Sequence, residues 1–342
     1  MRQKILPVSG IILSLLLLAG VFYRVRLPAF WAALKGTDPG ALALAIFFFA
    51  VSCGVRAAIW SLTTGQLKKV TLGVLFGGVI VGYMANNLLP ARAGEVIRAY
   101  YLSRRTGIPG PAAFATVCIE RLLDAASLGL LMLGALVIGV KGLNPRTAQL
   151  TLGVFLAVLA VAAAVFGALL RLTKRSPDKP LLPGFIRNLL TSFTGPLQPL
   201  REPRWLALLA ILNLLAWGAN YLSFLVLLPA VQERHQAALL LLLFVNTGLL
   251  VPSSPGAFGV MQLAFWMALA PFGVKKEAAL ALSLAYQGGL YLFTLVVGLP
   301  YYVRAHVDYG NTPAAPRDQD TGGPSTIPGC KVAVAPPASR KR

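Results

Sequence analysis

About eight stretches of this chain are apolar and long enough to approach the roughly 30 Å of hydrocarbon that a helix must cross. They lie near residues 5–22, 40–62, 70–90, 112–140, 148–170, 204–229, 237–252 and 278–303, the seventh being the shortest. Only 12% of the 342 residues are charged, and mean hydropathy is +0.72. A water-soluble domain needs far more charge to cover its surface. The expected fold class is therefore an all-α polytopic membrane protein.

The net charge of +20 does not point to nucleic acid. The basic residues sit in short clusters beside apolar runs, as in cytoplasmic loops facing anionic lipid. No interleaved aromatic and basic surface offers base stacking. Cys53 and Cys118 fall in apolar runs and Cys330 in the tail, while His235 and His306 are isolated. Nothing there has metal-site or disulfide spacing, so neither a metal nor a cofactor is expected.

The first run follows "MRQK" and lacks a small-x-small cleavage site, so it reads as an uncleaved anchor. Residues 171–204 form the longest internal connection, with seven Lys/Arg against two acids. Within it, Phe185, Ile186, Leu189, Leu190 and Phe193 share a helical face, which suits a short helix in the headgroup layer. The organisation expected is a transmembrane unit over 1–306 and a disordered Pro/Gly-rich tail over 307–342.

Two of the apolar runs are interrupted. "NNLLPARAGEVIRAYYL" and "NTGLLVPSSPGAFGVMQ" each carry an asparagine, then Leu-Leu, then Pro-x-x-x-Gly. The shared positions are Asn87, Pro90 and Gly94 in one, and Asn246, Pro252 and Gly256 in the other. Proline and glycine this close break a helix. Broken backbone is tolerated at membrane depth only where protein or water covers it. Paired interrupted segments in two halves of a chain are the pattern of transporter binding sites, whose half-helix N-termini attract anions.

Positive charge in "MRQK", at Arg104-Arg105 and in the 171–204 loop favours the cytoplasm. All three agree if the first interrupted segment returns the chain to the side it came from. If the second does likewise, the C-terminus is cytoplasmic and the halves form an inverted repeat. The expectation is about eight transmembrane helices plus two interrupted, re-entrant helical segments; simple alternation of eight spans gives a different placement of the termini.

Charge is concentrated in the first half. Arg92, Glu95 and Arg98 follow at spacings of three, and Glu120 and Asp124 lie four apart with Arg121 beside them. On a helix, Glu95 is within reach of either neighbouring arginine. Each such charge costs about 2.5–3.5 kcal/mol at a helix centre on insertion scales, so six unpaired ones would cost roughly 15–20 kcal/mol, more than a typical domain's net stability. They must pair, line a wet cavity, or, for the arginines, snorkel to the headgroups. Arg56 is close enough to the end of its run for snorkelling to apply. The second half offers Ser253, Ser254, Pro255, Gly256, Gly259 and Gln262 instead, either a hydrogen-bonding wall or an ordinary turn. With Asn87, Pro90, Gly94, Asn246 and Pro252, these residues make up the candidate substrate-binding set.

Together with "ATVCIERLLD", the two interrupted stretches resemble the lysylphosphatidylglycerol synthase transmembrane-region family, flippase-like integral membrane proteins, over about residues 5–303. The resemblance implies movement of aminoacylated or other lipids between leaflets of the cell membrane. The family's large soluble aminoacyltransferase domain has no counterpart in this sequence, so lipid synthesis is not implied. The family usually has an acid where Gln262 stands, which weighs against proton exchange there.

The function expected is that of a multi-pass inner-membrane lipid translocase. Arg92, Arg98 and Arg121 would hold a lipid phosphate, and Glu95, Glu120 and Asp124 would balance them or receive a cationic headgroup. Basic loops would meet the anionic lipid surface. No nucleotide-binding loop is present, so ATP is not expected to drive the cycle directly. Two other classes stay open: a membrane-embedded transferase acting on polyprenyl-phosphate or aminoacyl lipids, and a small-solute transporter or non-catalytic membrane partner.

Overall fold

The structure is a computed structural model. It describes residues 14, 16–89, 93–143, 202–249 and 255–310, with side chains to 305, and scattered positions between 146 and 160. The fifth apolar run, the 171–204 segment, and residues 311–342 of the expected tail lie wholly or largely outside the described residues.

Every described regular element is helical. In chain order they are α1 (Leu16–Phe22), α2 (Leu27–Lys35), α3 (Pro39–Thr64), α4 (Leu72–Leu88), α5 (Gly94–Thr106), α6 (Gly110–Ile138), α7 (Pro203–Leu225), α8 (Arg234–Gly248), α9 (Val260–Leu269) and α10 (Lys276–Gly310). Five helical stretches among the described residues are long and apolar enough to cross a membrane, or up to six if α1 and α2, bent by 93°, form one span. The multi-pass helical architecture is as expected. The run at 70–90 becomes α4, of 17 residues, and the run at 237–252 becomes α8, of 15. Both fall short of the ~20 residues that a full crossing takes.

Local chemistry sets several boundaries. The Asp38 carboxylate accepts from the Gly40 N–H at 2.8 Å and Pro39 opens α3, an ordinary N-cap arrangement. Gly107 and Gly139, at φ 74° and 70°, end α5 and α6 in the left-handed conformation. Glu95 lies in the first turn of α5 and Arg104 and Arg105 in its last, each sign at the end the helix dipole favours.

The two interrupted segments are both helical hairpins. α5 folds back antiparallel on α4: Gly82 faces Gly94 and Arg98, whereas Gly77 and Gly78 face Tyr101. The turn begins at Leu89, whose extended backbone suits a residue before proline. Asn86 Oδ1 accepts from the Gly94 N–H at 2.8 Å and so caps α5 across the turn. A Cβ on Gly94 would run into the Gly82 carbonyl and the Asn86 side chain, so only glycine permits this approach. In the second hairpin α9 packs back on α8, with Val260 against Gly248. A short 3₁₀ turn, Pro255–Ala257, precedes α9, and Gly256 and Gly259 there have φ of 70° and 85°.

Both hairpin tips are pinned to one stretch of α10. Asn87 Nδ2 donates to Thr294 Oγ1 at 2.9 Å, and Gln287 Nε2 donates to the Gly256 carbonyl at 2.6 Å. Seven residues of helix, about 10 Å of rise, separate these anchors. The Pro255–Ala257 turn also packs against α4. α10 is thus the post on which the two short-armed hairpins meet. The largest apolar cluster lies around α8, α9 and the middle of α10, and a second fills the space between α3, α4 and α6.

Candidate functional site

The charged residues of the first half converge between α3, α5 and α6. Glu120 and Asp124, one turn apart on α6, face three guanidinium groups. Arg98 Nη2, from α5, donates to Glu120 Oε2 at 2.6 Å. Arg56 Nη1, from α3, donates to both Asp124 oxygens at 2.9 and 2.8 Å and reaches Glu120 Oε1 at 3.5 Å. Arg121 Nη2 lies 3.0 Å from Glu120 Oε1 and 3.2 Å from Asp124 Oδ2. Its Nη1 lies 3.6 Å from Glu95 Oε1. Among the described residues the group holds three arginines and three acids, so it is formally neutral. That satisfies the requirement that charges at membrane depth be paired.

Two tryptophans complete the enclosure. The Arg98 guanidinium carbon sits 3.8 Å from the centroid of Trp60, whose indole N–H donates to Thr116 Oγ1 at 2.7 Å. Arg56 lies 5.9 Å from the Trp217 centroid. Such stacking suits guanidinium, which is weakly hydrated and planar.

Burial is graded across the group. The Glu120 side chain is 1% exposed, whereas Glu95 and Arg121 are 24% and 36% exposed. The exposed end opens on a shallow, solvent-open pocket lined by Val79, Gly82, Tyr83, Asn86, Gly94, Glu95, Arg98 and Arg121. Its enclosed room is about that of one water molecule, so a headgroup would have to displace a side chain at its rim. The buried Nε atoms of Arg56, Arg98 and Arg121 have no hydrogen-bond partner among the described residues.

Several sequence expectations are revised here. Arg56 does not snorkel: it is buried and is the main partner of Asp124. Glu95 pairs with Arg121 and not with Arg98, whose partner is Glu120. Arg98 is likewise buried, and Arg121 alone of the three keeps substantial exposure. Arg92, Pro90, Pro252, Ser253 and Ser254 lie outside the described residues. Trp60, Thr116 and Trp217 escaped sequence reasoning, because an aromatic or threonine in an apolar run is indistinguishable from core.

The second hairpin builds a separate, uncharged network. Gln262 Oε1 accepts from the Gly259 N–H at 2.7 Å, and its Nε2 donates to Gln287 Oε1 at 2.7 Å. Gln287 Nε2 in turn serves the Gly256 carbonyl and, at 3.1 Å, the Tyr291 hydroxyl. These side chains satisfy the irregular backbone at the break and do not join the arginine group. A Cβ on Gly256 would collide with the Tyr291 hydroxyl. Asn246 turns to its own helix, donating to the Leu242 carbonyl at 2.8 Å. Among the described residues, the charged cluster and this hydrogen-bonding tip lie on separate hairpins that both reach α10.

Residues 8–298 match the family described as the lysylphosphatidylglycerol synthase TM region. The chain belongs to that family. Among its relatives, the glycosyltransferase AglD of Haloferax volcanii is 24% identical over 82% of this chain and 51% of its own length. UPF0104 membrane proteins of Methanocaldococcus jannaschii and Methanothermobacter thermautotrophicus are 31% and 34% identical over 34% and 27% of this chain, and over 35% and 28% of their own lengths. The chain spans about half the length of AglD in that match. Family membership and the apolar helices make this a multi-pass membrane protein of a lipid-related family.

Proposed function

We propose that this protein is a lipid translocase of the plasma membrane, with the pocket at Asn86, Glu95, Arg98 and Arg121 receiving the headgroup phosphate. The carrying observation is the graded ion cluster. The cluster runs from the buried Glu120 to a partly exposed Arg121, which leaves one guanidinium facing the pocket where a ligand can reach it. A lipid passing between leaflets must take its phosphate through hydrocarbon, and a neutral cluster with donors to offer lowers that barrier by charge-assisted hydrogen bonds. The headgroup docks at this shallow pocket by displacing a rim side chain while the acyl chains stay in the bilayer.

On this reading residues 1–306 form the translocating unit and 307–342 a tail. The two hairpins work as an inverted pair pivoting on α10. The uncharged Gln262 network acts as a hinge or lining, and the basic loops meet anionic lipid. The second reading, a lipid-modifying transferase, draws on the similarity to AglD. Against it, Glu120 and Asp124 are occupied by arginines, and the described residues contain no group of three or more His, Cys, Asp or Glu able to hold a metal.

The test is reconstitution in liposomes carrying headgroup-labelled anionic, zwitterionic or aminoacylated phospholipids, with leaflet exposure followed over time. Faster transfer of at least one phosphate-bearing lipid, reduced by Arg121→Gln, is expected. No acceleration of any lipid would overturn the proposal. Sugar transfer to polyprenyl phosphate by the purified chain would favour the transferase.

A further inference from the structure

We infer that Glu95 is a built-in competitor for the anion that Arg121 receives, and that a phosphodiester headgroup enters by exchanging with the Glu95 carboxylate. This rests on the translocase reading of the same pocket and assigns opposite roles to two residues in it.

Glu95 is the loosest member of the ion group. Its one ion pair among the described residues, with Arg121 at 3.6 Å, is the longest in the cluster and is too long for a hydrogen bond. Glu120 and Asp124 hold the same guanidinium at 3.0 and 3.2 Å. Glu95 is also the acid most exposed to the pocket, on the first turn of α5 and beside the Asn86 cap of Gly94. Displacing it breaks no hydrogen bond, whereas displacing Glu120 or Asp124 would break two or more.

The donor that release of Glu95 frees is the partly exposed Arg121 guanidinium, whose Nη1 faces Glu95 at 3.6 Å. A tetrahedral anion with several oxygens can accept from it.

Charge balance decides between addition and exchange. Among the described residues, three arginines and three acids make the cluster neutral. Adding a phosphodiester would leave one uncompensated negative charge in a low-dielectric site, a large penalty. Exchanging it for the Glu95 carboxylate keeps the sum at zero. The released carboxylate, already partly exposed, turns to water. The ligand class is therefore a monoanionic phosphodiester, and the same carboxylate returns to Arg121 when the headgroup leaves, which limits residence time.

Substituting Glu95 should then tighten binding while substituting Arg121 weakens it. The experiment titrates the purified full chain in detergent with short-chain phosphatidylglycerol, with inorganic phosphate, and with a phosphate-free diacylglycerol, by calorimetry. Glu95→Gln is expected to bind phosphatidylglycerol about tenfold more tightly, as loss of a competitor worth about 1.4 kcal/mol would give. Glu95→Asp should stay within about threefold of the parent, and Arg121→Gln should bind at least about tenfold more weakly. Diacylglycerol binding should not respond to Glu95→Gln. A response of inorganic phosphate in the same direction supports the exchange and shows that the phosphate alone is sufficient. Weaker or unchanged binding in a folded Glu95→Gln variant overturns it. Lipid transfer in vesicles separates the two ideas. Transfer by the parent without tightening in Glu95→Gln retains the translocase and removes the competitor. Tightening without transfer of any lipid does the reverse.

Discussion

Arg98 lies over the face of Trp60 at 3.8 Å while its Nη2 donates to Glu120 at 2.6 Å. One guanidinium thus ties α5 to α3 through an aromatic ring and to α6 through a carboxylate. The first hairpin is docked by the same residue that lines its pocket, so stability and site geometry are coupled there.

Trp60→Phe should show that coupling. Phenylalanine keeps most of the apolar contact but loses the N–H donated to Thr116 and has a weaker π face. A loss of about 1–2 kcal/mol is expected, from one net hydrogen bond and part of a cation–π contact. Thermal unfolding in detergent checks it, and Trp60→Leu should cost more.

Arg56 and Asp124 should behave as a buried pair. Removing either partner leaves a charge uncompensated, so Arg56→Met or Asp124→Leu should each cost about 3–5 kcal/mol. The double variant should recover most of that loss, since apolar replacements of a whole buried pair are often neutral or better. A double-mutant cycle on unfolding in mild denaturant measures the coupling. Additive losses would remove the pairing as the reason for Arg56.

How much of this was legible in the sequence follows from what each signal depends on. The helical membrane fold, the breaks near Gly94 and Gly256, and the meeting of Glu120, Asp124 and Arg121 all follow from local pattern and charge cost. Arg56 was misjudged because distance to a helix end says nothing of which neighbour covers the side chain. Spacing along one helix offers Glu95 either Arg92 or Arg98, but Arg98 takes its stronger contact, Glu120, from another helix. Gln287 and Tyr291 were invisible, because their role is to satisfy a backbone break some thirty residues away in sequence.

Gly94→Ala should undock the first hairpin. An added Cβ would meet the Gly82 carbonyl and the Asn86 side chain, where backbone must move. The expected loss is about 1–3 kcal/mol, typical of overpacking. Gly110→Ala, with no atom near its Cβ position, should be neutral or stabilising. Comparing the two by thermal unfolding, and by lipid transfer at a temperature where both remain folded, separates hairpin docking from general helix effects.

Gln262→Leu should loosen the second hairpin while leaving the arginine cluster in place. Leucine keeps the volume but removes the acceptor for the Gly259 N–H and the donor to Gln287. Each buried group left unsatisfied costs about 1–3 kcal/mol, and the loss falls on a turn already held at positive φ by two glycines. Amide exchange should rise over Pro255–Leu269, where the break depends on Gln262 and Gln287, with little change over Gly110–Ile138. Because Gln287 also anchors the tip to α10, any loss of lipid transfer should accompany that local opening. Transfer lost without increased exchange would instead place Gln262 in contact with the lipid itself.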